Sequence, residues 1–390
     1  MIGKHASGRK NNFSRKKIEI HPGEIGTTLI TEVLTMLNFF ATSIAEPNKS
    51  ISFAFDMTSH ASRRTAHPGR SSSFYIVLLI ELTDKTDYTK KPLTLAEQVA
   101  RLKRRGLVFD DESEATAYLF NISYYRLRAY TYPFQENGED TDHNFIRKDI
   151  HFKDIIDLYC FDRRLRSLIF NSIEKIEVAV RTKIVQVYAE STGDSHWYDD
   201  ESLYRFGYDD LMEHINVDVN RSNEDFIKHY HSKYDNPPMP PSWMALEVVS
   251  LATLSRLFQS LKLDNHKEYI TEQFGLKKVA ILENWLHAIS NLRNCCAHHS
   301  RTWNRRFMVS VTLPYNTLYP FMDRTTIGQI RTNKLFAVLS CIAYILDIIS
   351  PSSDFKKNIK ELLKSDCRLL DPKDMGFPQY WQSLPVWREN

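Results

Sequence analysis

Between Asp154 and Glu190 the apolar side chains Ile169, Ile173, Ile176, Val180, Ile184 and Val187 follow one another at steps of three or four residues. That is the period of an α-helix, so a single stripe runs down one side of a long helix, and Gly193 supplies a residue that can end it. Such a stripe must be covered by other elements, and the sequence offers more helices to do so. Thr94 stands before Leu95, Val99 and Leu102, with Gly106 as a stop, and Ser113 opens a short helix through Leu119. After the loop signal "NPPMPPS" (Asn236–Ser242), Ser242 can cap a helix carrying Met244, Leu251, Leu254, Phe258 and Leu261. Val279, Leu282, Leu286, Ile289 and Leu292 mark another, Leu335 to Ile349 the next, and Phe355, Ile359 and Leu362 the last. No sustained alternation of strand type and no internal repeat interrupts this pattern. The expected fold is an all-α bundle.

The first 87 residues read differently. Ser59–Ser73 is rich in Ser, Arg and His, and the apolar runs Ile30–Ala45 and Phe74–Leu82 connect to no recognisable core. Residues 1–87 are therefore expected to be a poorly ordered extension, 88–365 a helical domain, and 366–390 a tail. The best membrane candidate, Gly26–Ala45, carries Glu32 and many hydroxyl side chains, which argues against a spanning helix. Five cysteines, Cys160, Cys295, Cys296, Cys341 and Cys367, make an odd number without framework spacing, and no signal peptide opens the sequence. Free thiols in a reducing cytoplasm are expected. A net charge of +3 is too small to make the whole chain a polyanion binder, so any basic surface must be local.

Such a local patch is "NLRNCCAHHSRTWNRR", Asn291–Arg306. Cys295, Cys296, His298 and His299 have the right chemistry for zinc. Adjacent residues on a helix diverge by about 100°, however, and no second ligand pair stands out, so no metal is expected. Buried packing is the simpler role for the cysteines. Asn294, His298, Arg301 and Arg305 fall in one row if the helix persists. Arg293 lies five residues before His298, about 140° round an ideal helix, so the two meet only if the helix ends or the arginine curls. Trp303 offers a flat surface for stacking. A histidine near neutral pKa beside arginines suits a phosphodiester, because imidazole moves protons and guanidinium binds phosphate. An ordinary basic helix end fits the same residue types.

"RNCCAHH" resembles the R-x(4–6)-H motif of HEPN ribonucleases. The bare pattern recurs at Arg15 and His21, so its context matters more. "LTLAEQVARLKRRGL", "ISYYRLRAYTYPF", "LYCFDRRLRSLI", "IEKIEVAVRT", "PPSWMALE" and "NLRNCCAHHSRTWN" stand in the order found in Abi-like (AbiD/AbiF-type) abortive-infection proteins. The resemblance covers roughly Tyr88 to Ile349. It implies a HEPN-like helical bundle with additional N-terminal helices and a metal-independent, cofactor-free endoribonuclease acting as an antiphage toxin. Arg293 and His298 would be the catalytic pair, with Asn294 positioning the arginine or the phosphate.

The same resemblance implies a homodimer in which two motifs share a cleft, and a structured small RNA as antitoxin. Glu177 and Arg181 match the E-x(3)-[KR] motif of many HEPN families and equally suit a surface ion pair. Arg126, Arg128, Arg181, Arg301, Arg305 and Trp303 are the expected RNA contacts, and His299 supports the site. Tyr124, Tyr125 and Tyr130 either stack on RNA bases or pack between helices, and Arg163 and Arg164 read as a solvated face. A non-catalytic RNA-binding module and a helical interaction scaffold remain open alternatives.

Overall fold

The computed structural model describes residues 13–20, 49–59, 74–84, 87–138 and 141–389, and the chain divides into two compact units, Met1–Pro92 and Leu93–Asn390. In the first unit β1 (Phe13–Ile20), β2 (Lys49–Ser59) and β3 (Phe74–Asp84) form an antiparallel sheet in the order β1-β3-β2. The register pairs Ile18 with Ile76 and Phe53 with Ile80. The central strand, "FYIVLLIELTD", is a near-continuous run of β-branched, aromatic and aliphatic residues, suited to pairing on both edges. These strands fall within residues 1–87, the span expected as an N-terminal extension. Arg15 lies in β1. His21, the span Gly26–Ala45 and residues 60–73 lie outside the described residues.

Leu93–Asn390 is an all-α bundle. α1 (Leu95–Arg104) opens on a complete capping box, in which Thr94 Oγ1 accepts from the Glu97 N–H and the Glu97 carboxylate accepts from the Thr94 N–H. α2 (Glu112–Ile122) and α3 (Tyr124–Thr131) follow, and then α4 (Phe152–Thr192). At 41 residues α4 runs about 60 Å, and Gly193 closes it in the left-handed conformation at φ 66°. Its stripe is completely buried at Ile155, Ile169, Ile173, Ile176 and Ile184, and it finishes on buried Tyr188 while Val187 stays partly exposed.

The polar stretch before the proline loop contains α5 (Tyr208–Arg221) and α6 (Asp225–Lys233), which the sequence reading missed. Each buries only a narrow apolar edge, Leu211, Met212, Ile215 and Val219 in one and Ile227 and Tyr230 in the other. The single helix expected after Ser242 is two. α7 (Ser242–Ala245) starts on a buried Ser242 that caps nothing, and α8 (Leu251–Ser260) is capped by Ser250, whose Oγ accepts from the Thr253 N–H at 3.2 Å. α9 (Asn265–Glu272) leads to Gly275, where φ is 74° and an added Cβ would sit 2.6 Å from the Tyr344 hydroxyl.

α10 (Val279–Ala297), α12 (Leu335–Ile349) and α13 (Phe355–Leu363) all pack on α4, with the short α11 (Arg324–Gln329) on the connection between α10 and α12. The tail expected over residues 366–390 packs on the bundle. Phe377, Trp381 and Trp387 cluster on Phe336 of α12, and Trp387 Nε1 donates to Ser340 Oγ at 2.9 Å. Aromatic burial of this kind holds the segment in the core. Among the described residues, no helix is long and apolar enough to cross a membrane.

The α4 stripe should dominate stability. Ile173→Ala, at a position with no exposure, is expected to cost about 2–5 kcal/mol in a urea titration. Val178→Ala, on the exposed side of the same helix, should stay within about 0.5 kcal/mol, and equal losses at both positions would contradict the packing described.

Candidate functional site

α10 stops at Ala297, and the chain turns sharply there. The N–H groups of His298, His299 and Ser300 donate to the carbonyls of Asn294, Cys296 and Cys295, and His299 adopts the left-handed conformation at φ 54°. The strand of chain that follows is drawn to α4 by Asp162. This carboxylate is completely buried and accepts from the Thr302 hydroxyl at 2.5 Å, the Trp303 N–H at 2.8 Å, the Tyr130 hydroxyl at 2.6 Å and Arg166 Nη1 at 2.5 Å. A buried carboxylate without partners would be very costly; here its lone pairs are filled from three separate elements. Burial and the neighbouring Asp162 charge push the Tyr130 phenol well above its ordinary pKa, so it stays a donor. Burial opposes the Arg166 charge, but Asp162 and Tyr130 outweigh it and hold the guanidinium protonated.

Trp303 is fully buried, stacked with Phe134 and Tyr130 at centroid distances of 6.0 and 6.5 Å. It therefore cannot stack on a ligand as the sequence suggested. Its role is to anchor the loop.

The anchored loop faces α3 across a groove of about 670 Å³. Arg126, Arg128, Arg301, Arg305, His298 and His299 line it, and no carboxylate does. The basic groups are held in place from behind. Arg301 donates to the Ala129 carbonyl and lies over the Trp303 ring at 5.8 Å; burial, first of all, lowers its pKa. Arg126 Nη1 donates to the His299 carbonyl at 2.7 Å, which ties α3 to the turn after α10. Arg128 sits over the Tyr132 ring at 5.8 Å. His298 and His299 are both exposed.

Arg293 and Asn294 are not in the groove lining. Arg293 points to α4, with its guanidinium over the Phe170 ring at 5.4 Å and Nε 3.8 Å from Glu177 Oε2. Asn294 is exposed, and its carbonyl accepts from the His298 N–H at 3.0 Å. Glu177 is mostly buried and reaches Arg181 with its other oxygen at 3.1 Å, so the pair is more than a surface ion pair. Arg181 is buried, donating from Nε to the Leu246 carbonyl at 2.9 Å and from Nη2 to the Val249 carbonyl at 3.0 Å. That occupies the guanidinium at the break between α7 and α8 and removes Arg181 from the expected RNA contacts. Arg163 and Arg164 are solvent-exposed on α4.

Cys296 is buried, and its thiol is pushed up to about 12 by that burial; Cys295 beside it is half-buried and free. Among the described residues no group of three or more His, Cys, Asp or Glu side chains is arranged to hold a metal ion.

Residues 117–304 match the model of the family described as Abi-like protein. An Abi-like domain occupies that span. It starts within α2 and ends in the loop beyond α10, so it takes in the Asp162 network and the whole groove lining except Arg305. No curated protein and no solved structure matches the chain.

Asp162, Arg166, Thr302 and Tyr132 are the site residues that sequence reasoning missed. A signal was present, because Asp162 and Arg166 lead into Ile169 and Ile173 at steps of four, three and four, placing two charges on the apolar stripe. Asp162→Ala is expected to cost about 3–5 kcal/mol in a urea titration, since Arg166 is left buried and unpaired. Adding Arg166→Met should recover part of that loss. A double variant no better than the single one would contradict the pairing.

Proposed function

We propose that the chain is a metal-independent endoribonuclease of the HEPN type, acting as a toxin in antiphage defence. The observation that carries this reading is an exposed His298 at a groove lined by four guanidiniums and no carboxylate, within an Abi-like domain. A polyanion is drawn to such a groove, and arginine can bind a phosphate through two oxygens at once. In the proposed reaction the ribose O2′ attacks the adjacent phosphorus and the bond from phosphorus to O5′ breaks. A proton leaves O2′ and another reaches O5′, giving a 2′,3′-cyclic phosphate and a 5′-hydroxyl. His298 is assigned one or both proton transfers, a task for which imidazole has the right ordinary pKa. Arg301 and Arg305 hold the phosphates.

Arg293, set against Glu177 and Phe170, completes the site when two copies of the chain bring their α10 ends to one cleft. The active form is thus a homodimer in the cytoplasm, with Asn294 positioning the arginine or the phosphate. A structured small RNA bound in the same basic groove would keep the toxin silent. The setting of Arg293 also favours a second reading, in which the groove holds a structured RNA without cutting it.

Wild type, Arg293→Ala and His298→Ala, each stripped of bound RNA, would be incubated with total cellular RNA in EDTA. The expected result is fragmentation by wild type and at least a 100-fold slower reaction in both variants. Cleavage that disappears in EDTA, or that survives loss of His298, would overturn the nuclease reading. Intact RNA in all three reactions, with RNA affinity kept by His298→Ala, would support the non-catalytic module.

A further inference from the structure

The tyrosines of "SYYRLRAYTYPF" do not share one environment. Tyr124 is half-buried, and its hydroxyl accepts from Arg105 Nη1 at 3.0 Å; Tyr130 is buried on Asp162. Tyr125 is 84% exposed and Tyr132 45% exposed, and both line the groove that holds His298. No hydrogen bond within the described residues engages either hydroxyl, and both rings keep exposed surface. They stand seven residues apart, Tyr125 in the first turn of α3 and Tyr132 at its C-terminal cap, where the backbone is still helical, and seven helical residues advance the backbone by about 10 Å. Arg126 and Arg128 lie between them, and the Arg128 guanidinium already sits over the Tyr132 ring.

We propose that Tyr125 and Tyr132 are two base-stacking platforms that set the register of a single strand in the groove, a reading that rests on the RNA assignment made above. A strand carries flat bases beside anionic phosphates, and this wall carries two flat rings with two guanidiniums between them in sequence. A backbone advance of about 10 Å exceeds the rise of about 3.4 Å between stacked neighbours, so the two rings take bases that are not adjacent in the strand. A duplex, whose bases are paired and stacked, cannot offer them. The absence of carboxylates from the lining argues against an ordinary protein surface as the occupant, since a partner would have to present almost only acidic groups.

The test uses the full chain and two uncleavable probes of equal charge, a twelve-nucleotide oligodeoxyadenylate and an abasic strand of the same length. Deoxyribose removes the attacking hydroxyl but keeps phosphates and bases. Tyr125→Ala and Tyr132→Ala should each weaken binding of the base-bearing probe by about 5- to 150-fold, the range that stacking of one base supports, and leave the abasic probe unchanged. Tyr125→Phe and Tyr132→Phe should bind like wild type. Arg305→Ala should weaken both probes alike. Equal effects of the tyrosine variants on both probes, no effect on either, or no binding by wild type at low salt would overturn the proposal. So would a change from dimer to monomer on Tyr125→Ala in sedimentation, which would make the ring an interface between copies of the chain. The discriminating binding result without RNA cleavage would leave the platforms standing and the nuclease reading failed; cleavage with unaltered probe binding would do the reverse.

Discussion

One buried carboxylate organises the basic end of this molecule. Asp162 lies inside the bundle on α4, and it is satisfied by Arg166 on its own helix, by Tyr130 on α3 and by the Thr302–Trp303 backbone beyond α10. Two of those elements, α3 and the segment beyond α10, form the walls of the groove, and α4 anchors both from behind. Because a buried charge tolerates no missing partner, the three segments are bound to a single arrangement, and the guanidiniums and imidazoles they carry are set in place with them. Trp303, packed under Arg301, extends that anchor to the surface.

A second charged cluster does related work further along the same helix. Glu177 spans Arg181 and Arg293, and Arg181 in turn holds the two carbonyls freed where α7 gives way to α8. The long helix therefore carries two polar stations on an otherwise apolar stripe. One fixes the groove. The other fixes the arginine on which the proposed catalytic pairing depends, and it directs that arginine toward α4. With Arg293 turned to α4 and His298 at the groove, the proposed catalytic pairing calls for two copies of the chain.

The long helices were legible in the sequence because their apolar periods are unbroken; α4, α10 and α12 lie where Ile173, Leu286 and Ile342 place them. α5 and α6 were not, since one buries four apolar side chains and the other two among many charges, and the pattern blends into a polar loop. Site residues divide on similar grounds. His298, Arg301 and Arg305, which line the groove, stood out in the sequence because their basic character is dense and local. Trp303 and Arg181 were misjudged because residue type does not reveal burial, and the buried partners that claim them, Asp162 and the carbonyls of Leu246 and Val249, come from distant parts of the chain.

The account stands or falls on whether the substrate's own 2′-hydroxyl is the nucleophile. If the proposed cleavage is found, the most direct measurement takes an oligoribonucleotide cut at one place and replaces the single ribose on the 5′ side of that bond with deoxyribose. The account predicts that cleavage at this bond disappears, while the unsubstituted strand yields a fragment ending in a 2′,3′-cyclic phosphate. Continued cleavage at the substituted position would contradict it, because the nucleophile would then have to come from elsewhere.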